Sequence, residues 1–279
     1  MKIHAPAKIN LVLDVTGKRS DGYHNVKMVM QALDLCDIVT VELAHEGIVI
    51  TSNSKNVPCD ETNIAYKAAV TIMQEAGIHR GVHIDIQKNI PICAGLAGGS
   101  TDGAAVLIAL NGLLGLNYSD DKLIELAAKF GADVPFCIMQ GTALAEGTGT
   151  ELSRLPGYGE HNVLLVKPDI DVSTPWVYKN LRLDNVVHPD VDKFIQCIAR
   201  GDYNEGYNYM GNVLETVTVA EYPVIDSIKQ KMIECGAEFA MMSGSGPTVF
   251  GIFADEATAK NAALKFKNNF KEVIITKTV

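Results

Sequence analysis

The 279 residues, with 47% hydrophobic and 20% charged side chains, have the balance of a folded chain of one large or two modest domains, which excludes wholesale disorder. A formal net charge of -9, with Lys and Arg scattered, argues against a nucleic-acid partner, which calls for a basic patch. No apolar run approaches the roughly 18 to 20 residues that cross a bilayer, and the opening residues lack the apolar core and cleavage site of a signal peptide, so no membrane partner and a cytoplasmic location are expected.

The six cysteines are far apart, without Cys-x-x-Cys or a Cys/His cluster of metal-ligand spacing, and read as reduced, packed thiols. From the start, Ile3, Ala7, Ile9, Leu11 and Leu13 alternate with Lys8, Asn10 and Asp14. This period of two predicts a strand over residues 1–14 with Lys8 and Asn10 on one face. A lone strand lysine ordinarily reaches solvent, but this one sits among Ala, Ile and Asn. Residues 17–24 form a polar turn with Tyr23 and His24 at its lip. That pair can stack on and hydrogen-bond a heterocycle, or simply stand exposed.

Residues 26–41 resume as strand, with a hairpin expected at Asp34 and Asp37, and 48–51 add a short strand. Asp60-Glu61-Thr62-Asn63 opens a helix whose Ile64, Ala65, Ala68, Ala69, Ile72 and Met73 keep helical spacing up to a stop at Gly77. Val82, Ile84 and Ile86 alternate as the next strand.

That strand leads into residues 91–105, Pro91-Ile92-Cys93-Ala94-Gly95-Leu96-Ala97-Gly98-Gly99-Ser100-Thr101 followed by Asp102-Gly103-Ala104-Ala105, and then an apolar helix over 104–114. A glycine-rich loop feeding a helix N-terminus offers unpaired N–H groups and positive partial charge to a phosphate. No lysine follows a glycine as in a Walker A loop, and Ala97 stands where a dinucleotide fingerprint has its second glycine. The same residues also suit a plain helix cap with a flexible lead-in.

Ser119 caps a further helix that Gly131 ends. Asp133 follows, flanked by Ala132, Val134, Pro135 and Phe136. A carboxylate in such surroundings needs a counter-charge or strong donors, unless it caps a short turn. The glycines between 141 and 159 mark a boundary between domains 1–157 and 158–279. Beyond it come a strand over 163–166, a helix start at Ser173-Thr174-Pro175, and helices around 192–199, 203–214 and 223–235. A strand pair flanks a second glycine-rich turn, Ser243-Gly244-Ser245-Gly246-Pro247, before a helix over 256–266 and a strand over 273–275. Strands and helices without steady alternation predict α+β domains.

Ala5-Pro6-Ala7-Lys8-Ile9-Asn10-Leu11, Asp21-Gly22-Tyr23-His24, the 91–105 loop, Gly131-Ala132-Asp133-Val134-Pro135-Phe136, Ala145-Glu146-Gly147 and the 243–247 turn occur in one order across nearly the whole chain. In identity and order they resemble the GHMP kinases, which act on small molecules. The resemblance implies two domains, the first like domain 2 of ribosomal protein S5 and the second ferredoxin-like, with ATP and substrate meeting in a cleft between them. The segments at Lys8 and at Tyr23-His24 are most similar to members that phosphorylate the 2-hydroxyl of a cytidine diphosphate-linked methylerythritol in non-mevalonate isoprenoid synthesis.

On that resemblance, Asp133 is the base for the attacking hydroxyl, and Lys8 keeps it ionised and stabilises the transferred phosphoryl group. Residues Pro91 through Thr101 hold the ATP phosphates and Asn63 contacts the adenine. Tyr23 and Tyr178 stack on the cytosine, His24 reads its edge, and Asn10 and Thr174 contact the reacting end of the substrate. Mg2+ accompanies the ATP, with its ligands unassigned, and the enzyme is a monomer or a homodimer. The loop departs from the family pattern at Ala97 (usually Gly), Thr101 (usually Ser) and Gly103 (usually Ala). Ala97 matters only if that position needs a positive φ. Two other readings remain: another GHMP kinase such as a homoserine kinase, or a silent nucleotide-binding module on the same scaffold.

Overall fold

The computed structural model describes residues 1–279, apart from the side chain of Asn185. The chain forms two compact units, neither of them one continuous stretch: residues 1–7, 35–92 and 97–140 make the first, and 8–34, 93–96 and 141–279 the second. This division differs from the expected halves 1–157 and 158–279, because two long strands each contribute to both units. Strand β1 (Lys2–Lys18) is followed by β2 (His24–Ala44), with β1 paired to β2.

In the first unit, β3 (Ile48–Ser52) runs parallel to β4 (Gly81–Gln87), and β4 runs antiparallel to β2, with Ile38 opposite Gln87 and Ala44 opposite Gly81. Four helices complete it: α1 (Ile64–Ala76), α2 (Gly98–Leu113), α3 (Asp120–Ala127) and α4 (Val134–Met139). Their apolar faces meet Val82, Ile84 and Ile86 of β4 in one core that also takes in Ile72, Val106, Leu107 and Leu110. Asn63 caps α1 by accepting from Ala65 N at 2.8 Å, and Gly77 ends it in the left-handed region at φ 64°. Ser119 caps α3 as its sequence predicts.

Two expectations fail here. The hairpin at Asp34 and Asp37 does not form, and β2 continues through both residues. Asp37 reads locally as a turn residue, yet it is fully buried and accepts from Asn89 N at 2.6 Å and Ile90 N at 2.8 Å. In addition, α2 starts at Gly98, not at Ala104, so the glycines form its first turn. Glycine is a poor helix former, but packing requires it: a Cβ on Gly103 would stand 2.6 Å from Ile64 Cγ2, so its absence lets the two helices approach.

In the second unit, residues 28–31 of β2 pair with β5 (Thr142–Glu146), which pairs with β6 (Glu151–Arg154). A separate antiparallel sheet has the order β10 (Glu272–Lys277), β7 (Asn162–Lys167), β9 (Val249–Phe253), β8 (Phe239–Met242). Between β7 and β8 lie α5 (Thr174–Asn180), α6 (Val191–Arg200), α7 (Tyr203–Gly206), α8 (Glu215–Glu221) and α9 (Val224–Glu234), and α10 (Glu256–Phe266) precedes β10. Numbered along the chain, that sheet order is fourth-first-third-second, the ferredoxin-like arrangement. The expected helix over 203–214 breaks after α7 into a single 3-10 turn at Tyr207–Tyr209. No helix among the described residues is long and apolar enough to cross a membrane.

Candidate active site

In the first unit the strand-to-helix connection ends at Ala97, whose backbone is left-handed at φ 58°. This is the case in which replacing glycine by alanine matters, at a cost of about 1–2 kcal/mol. Ala97 gives α2 no side-chain cap, and helix geometry leaves the N–H groups of Gly98, Gly99 and Ser100 without acceptors inside the helix. Gly99 is exposed and Ser100 half-buried, so this first turn presents donors and the positive end of a 16-residue helix to solvent.

Of the other expected residues in this unit, Asn63 has both ends of its amide engaged, since Nδ2 also donates to Pro58 O at 2.6 Å. Asn63 is buried, and these bonds take one of its two amide N–H groups and one of its two oxygen lone pairs. Asp133 takes the N-cap position of α4 but makes no side-chain cap bond, so the turn-capping alternative does not account for it. Pro91 is buried and Ile92 half-buried on the approach to the loop.

One cluster beneath the helix start was not anticipated. Lys88 Nζ forms ion pairs with Asp37 and with Asp102, the latter at 2.8 Å, and all three side chains are at least nine-tenths buried. Burial alone would lower the Lys88 ammonium, but Asp102 and Asp37 outweigh it and hold it above its ordinary value. Burial, with a smaller contribution from Asp37, pushes the Asp102 carboxyl up to about 7 against the pull of Lys88. A Cβ on Gly98 would stand 3.1 Å from Lys88 Nζ, which makes glycine the close fit there. The only sequence signal was a lysine two residues before Ile90 at the mouth of a glycine loop.

In the second unit, Lys8 and Asn10 do share one face of β1, and both are buried, with Lys8 Nζ donating to Asn10 Oδ1 at 2.8 Å. Lys8 N also donates to Leu96 O at 3.1 Å, fixing the strand against residues 93–96 of the loop. There Cys93 is exposed and left-handed at φ 52°, and Ala94 is buried. Gly95, at φ 73°, packs so closely on the 243–247 turn that an added Cβ would collide with Ser243 O, while Ser243 Oγ donates to Gly95 O at 3.0 Å. A Cβ on Gly244 would stand 3.3 Å from Gly95 O, 3.4 Å from Asn10 Oδ1 and 3.5 Å from Lys8 Nζ. The second glycine turn, noted in the sequence without a role, is therefore the floor on which Lys8, Asn10 and Gly95 converge.

Asn212 holds that floor, its Nδ2 donating to Met242 O at 2.9 Å and Gly244 O at 2.8 Å. The Thr174 and Ser245 hydroxyls hydrogen-bond at 2.7 Å, which brings Thr174 to the same turn. His24 and Tyr178 also meet, with ring centroids 5.3 Å apart and planes tilted by 36°. Tyr23 is 68% exposed, its N–H tied to Asp21 Oδ1 at 3.0 Å. Burial, then the charge of Lys18, holds the His24 imidazole below its ordinary value, so the ring is neutral at pH 7.

The chain matches the GHMP kinases N terminal domain over residues 63–141 and the GHMP kinases C terminal family over 194–272. It is 49% identical over its whole length to the 4-diphosphocytidyl-2-C-methyl-D-erythritol kinase of Caldicellulosiruptor saccharolyticus, covering 97% of that chain. A crystal structure of 4-(cytidine 5'-diphospho)-2C-methyl-D-erythritol kinase matches at TM-score 0.85 and 31% identity, with 100% of this chain and 99% of that one covered. The homoserine kinase of Cytophaga hutchinsonii matches at TM-score 0.78 and 21% identity, with 100% and 94% covered, a likeness of fold alone.

Proposed function

We propose the following reaction for this chain, which belongs to the GHMP kinase family and has its two-domain fold: transfer of the γ-phosphoryl group of ATP to the 2-hydroxyl of 4-diphosphocytidyl-2-C-methyl-D-erythritol. The observation that carries this choice of alcohol is the 49% identity, spanning the whole chain, to a kinase named for it. GHMP kinases take ATP as donor. The setting is the step of non-mevalonate isoprenoid synthesis at which the cytidine diphosphate-linked alcohol becomes a 2-phosphate, in the cytoplasm, by a monomer or a homodimer.

The donor phosphates lie along Pro91 to Thr101, where the N–H groups of Gly98, Gly99 and Ser100 and the dipole of α2 oppose the charge that develops during transfer. Asn63 contacts the adenine. The alcohol is held by Asn10 and Thr174 near the reacting carbon, and by Tyr23, Tyr178 and His24 around the cytosine. A neutral imidazole at His24 can both donate to and accept from a pyrimidine edge, which a protonated one cannot.

As the 2-oxygen attacks, its proton passes to the Asp133 carboxylate, the new P–O bond forms, and the bond between the γ-phosphorus and the β,γ-bridging oxygen breaks to release ADP. Lys8, buried at the glycine floor, stabilises the transferred group. Among the described residues no three His, Cys, Asp or Glu side chains gather as a metal cage. A magnesium ion accompanies the ATP, with its protein ligands unassigned. When bound, it supplies charge neutralisation on the β- and γ-phosphates.

The direct test incubates the protein with ATP, magnesium and a panel of alcohols that includes homoserine and mevalonate. ADP is expected with the cytidine-linked alcohol. No ADP above background with that compound overturns the assignment, and turnover of another alcohol in its place redirects it within the family.

A further inference from the structure

The glycines explain how a phosphate reaches the start of α2, but not why a buried acid lies one turn inside that helix. Counted as ions, Asp37, Lys88 and Asp102 leave one net negative charge in the interior, next to the place where donor phosphates would bring more. The hydrogen bonds show which acid can yield. Asp37 is committed, with Oδ1 taking the N–H groups of Asn89 and Ile90 and Oδ2 taking Lys88. Asp102 gives Oδ2 to Lys88, while its Oδ1 is buried without any hydrogen-bond partner. An unpaired carboxylate oxygen away from water is costly, and a proton on that atom removes the charge while leaving the Lys88 contact in place.

We propose that Asp37, Lys88 and Asp102 form a proton-linked brace that positions the first turn of α2, and that the brace takes up one proton at Asp102 Oδ1 when donor phosphates bind there. This deepens the reading of residues 91–101 as the phosphate site and rests on it. Lys88 is the mechanical link, because its Nζ packs against Gly98 from below while bonding Asp102 within the same helix. The energetic link is charge: a phosphate at the helix start destabilises the Asp102 carboxylate and favours its acid form.

The groups that face Asp102 from other elements are Lys88, after β4, and Asp37, on β2. Of the helices packed on α2, α1 carries Lys67 and Glu75 at exposed positions, α3 carries Asp120, Asp121 and Glu125 exposed and Lys122 half-exposed, and Asp133 is half-buried at the head of α4. With burial already pushing the Asp102 carboxyl up to about 7, the free protein is part-ionised at neutral pH and has a proton to gain. Binding then weakens as pH rises above about 7, by up to tenfold per pH unit, because the proton must come from an increasingly dilute pool.

The test is calorimetric titration of ADP with magnesium into the protein near pH 7.5, in buffers of different ionisation enthalpy. The wild type is expected to take up a sizeable fraction of one proton per ADP bound. Asp102→Asn is expected to bind ADP with that uptake removed and the pH dependence flattened; protonation of the nucleotide itself is common to both proteins and drops out of the difference. A positioning role without proton linkage would change affinity in the variant but leave the buffer dependence of the heat the same in wild type and variant. Binding without proton uptake, or with equal uptake in the variant, overturns the brace and leaves the phosphate site standing. No ADP binding at all overturns the phosphate site and the brace with it. Should Asp102→Asn fail to fold, the infrared difference spectrum of the wild type decides: a protonated-carboxyl C=O band must grow on adding ADP, and its absence overturns the proposal.

Discussion

The two glycine-rich turns have similar compositions and opposite fates. At the start of α2, Gly99 is exposed and the first N–H groups have no acceptor inside the helix. In the 243–247 turn every residue is buried, and polar groups of the turn are spoken for: Asn212 takes the Gly244 carbonyl, Thr218 Oγ1 takes that of Ser245 at 3.2 Å, and Ser243 N pairs with Thr248 O at 2.9 Å. Glycine leaves the backbone of the first turn open to approach from solvent, and in the second it lets β1 and residues 93–96 come near. Glycine content does not by itself mark a ligand site; the backbone groups left unsatisfied do.

If that contrast holds, substitutions of ligand-facing groups should alter kinetics, and substitutions in the floor should alter stability. The largest effect is expected at Asp133. Asp133→Asn should lower turnover at least roughly 100-fold, the lower range for loss of a general base, while an equilibrium titration finds ADP affinity largely kept. A near-wild-type turnover would remove Asp133 from the chemistry.

Gly95→Ala belongs to the other class. Its Cβ would meet Ser243 O, and its φ of 73° disfavours any side chain, so thermal or denaturant unfolding should show a loss of about 2 kcal/mol or more. Unchanged stability would mean that Gly95 is not packed on the 243–247 turn.

His24 offers a smaller, pH-dependent effect on one substrate only. Because its folded value lies below the ordinary 6.5, the ring is neutral at pH 7 and gains a proton only as pH falls past that lowered value. The KM for the cytidine-linked alcohol should therefore be flat above neutrality and rise in acid. His24→Ala should raise that KM by roughly tenfold or less, the worth of a hydrogen bond, without moving the KM for ATP. Equal changes in both constants would contradict the cytosine contact.

The smallest effect is expected at Ala97. Ala97→Gly relieves a left-handed alanine and should stabilise the fold by up to about 1 kcal/mol, with the chain entropy of glycine offsetting part of the gain. Destabilisation there would show that the alanine methyl group does more by packing than it costs in strain.

What could be read from the sequence was whatever local chemistry decides. The alternation around Lys8 and Asn10, the helix opened at residues 60–63 and stopped at Gly77, and the helix start at residues 173–175 depend on residues within a few positions of one another, and they formed as read. What failed depended on distant partners. Asp37 has the profile of a turn residue until Lys88, Asn89 and Ile90, about fifty positions on, bury it in a continuous strand. The glycines of α2 argue against helix until Ile64 and Lys88 are seen to need the space. The positive φ of Ala97 had no local signal, since alanine in that conformation depends on the backbone on either side.

On the proposed reaction, this chain phosphorylates one hydroxyl of one alcohol. That reaction is tested most directly by phosphorus NMR of the product made from ATP and 4-diphosphocytidyl-2-C-methyl-D-erythritol. A new phosphomonoester resonance assigned to the 2-oxygen, with the diphosphate signals retained, is the predicted result; no new monoester, or one on another hydroxyl, would contradict it.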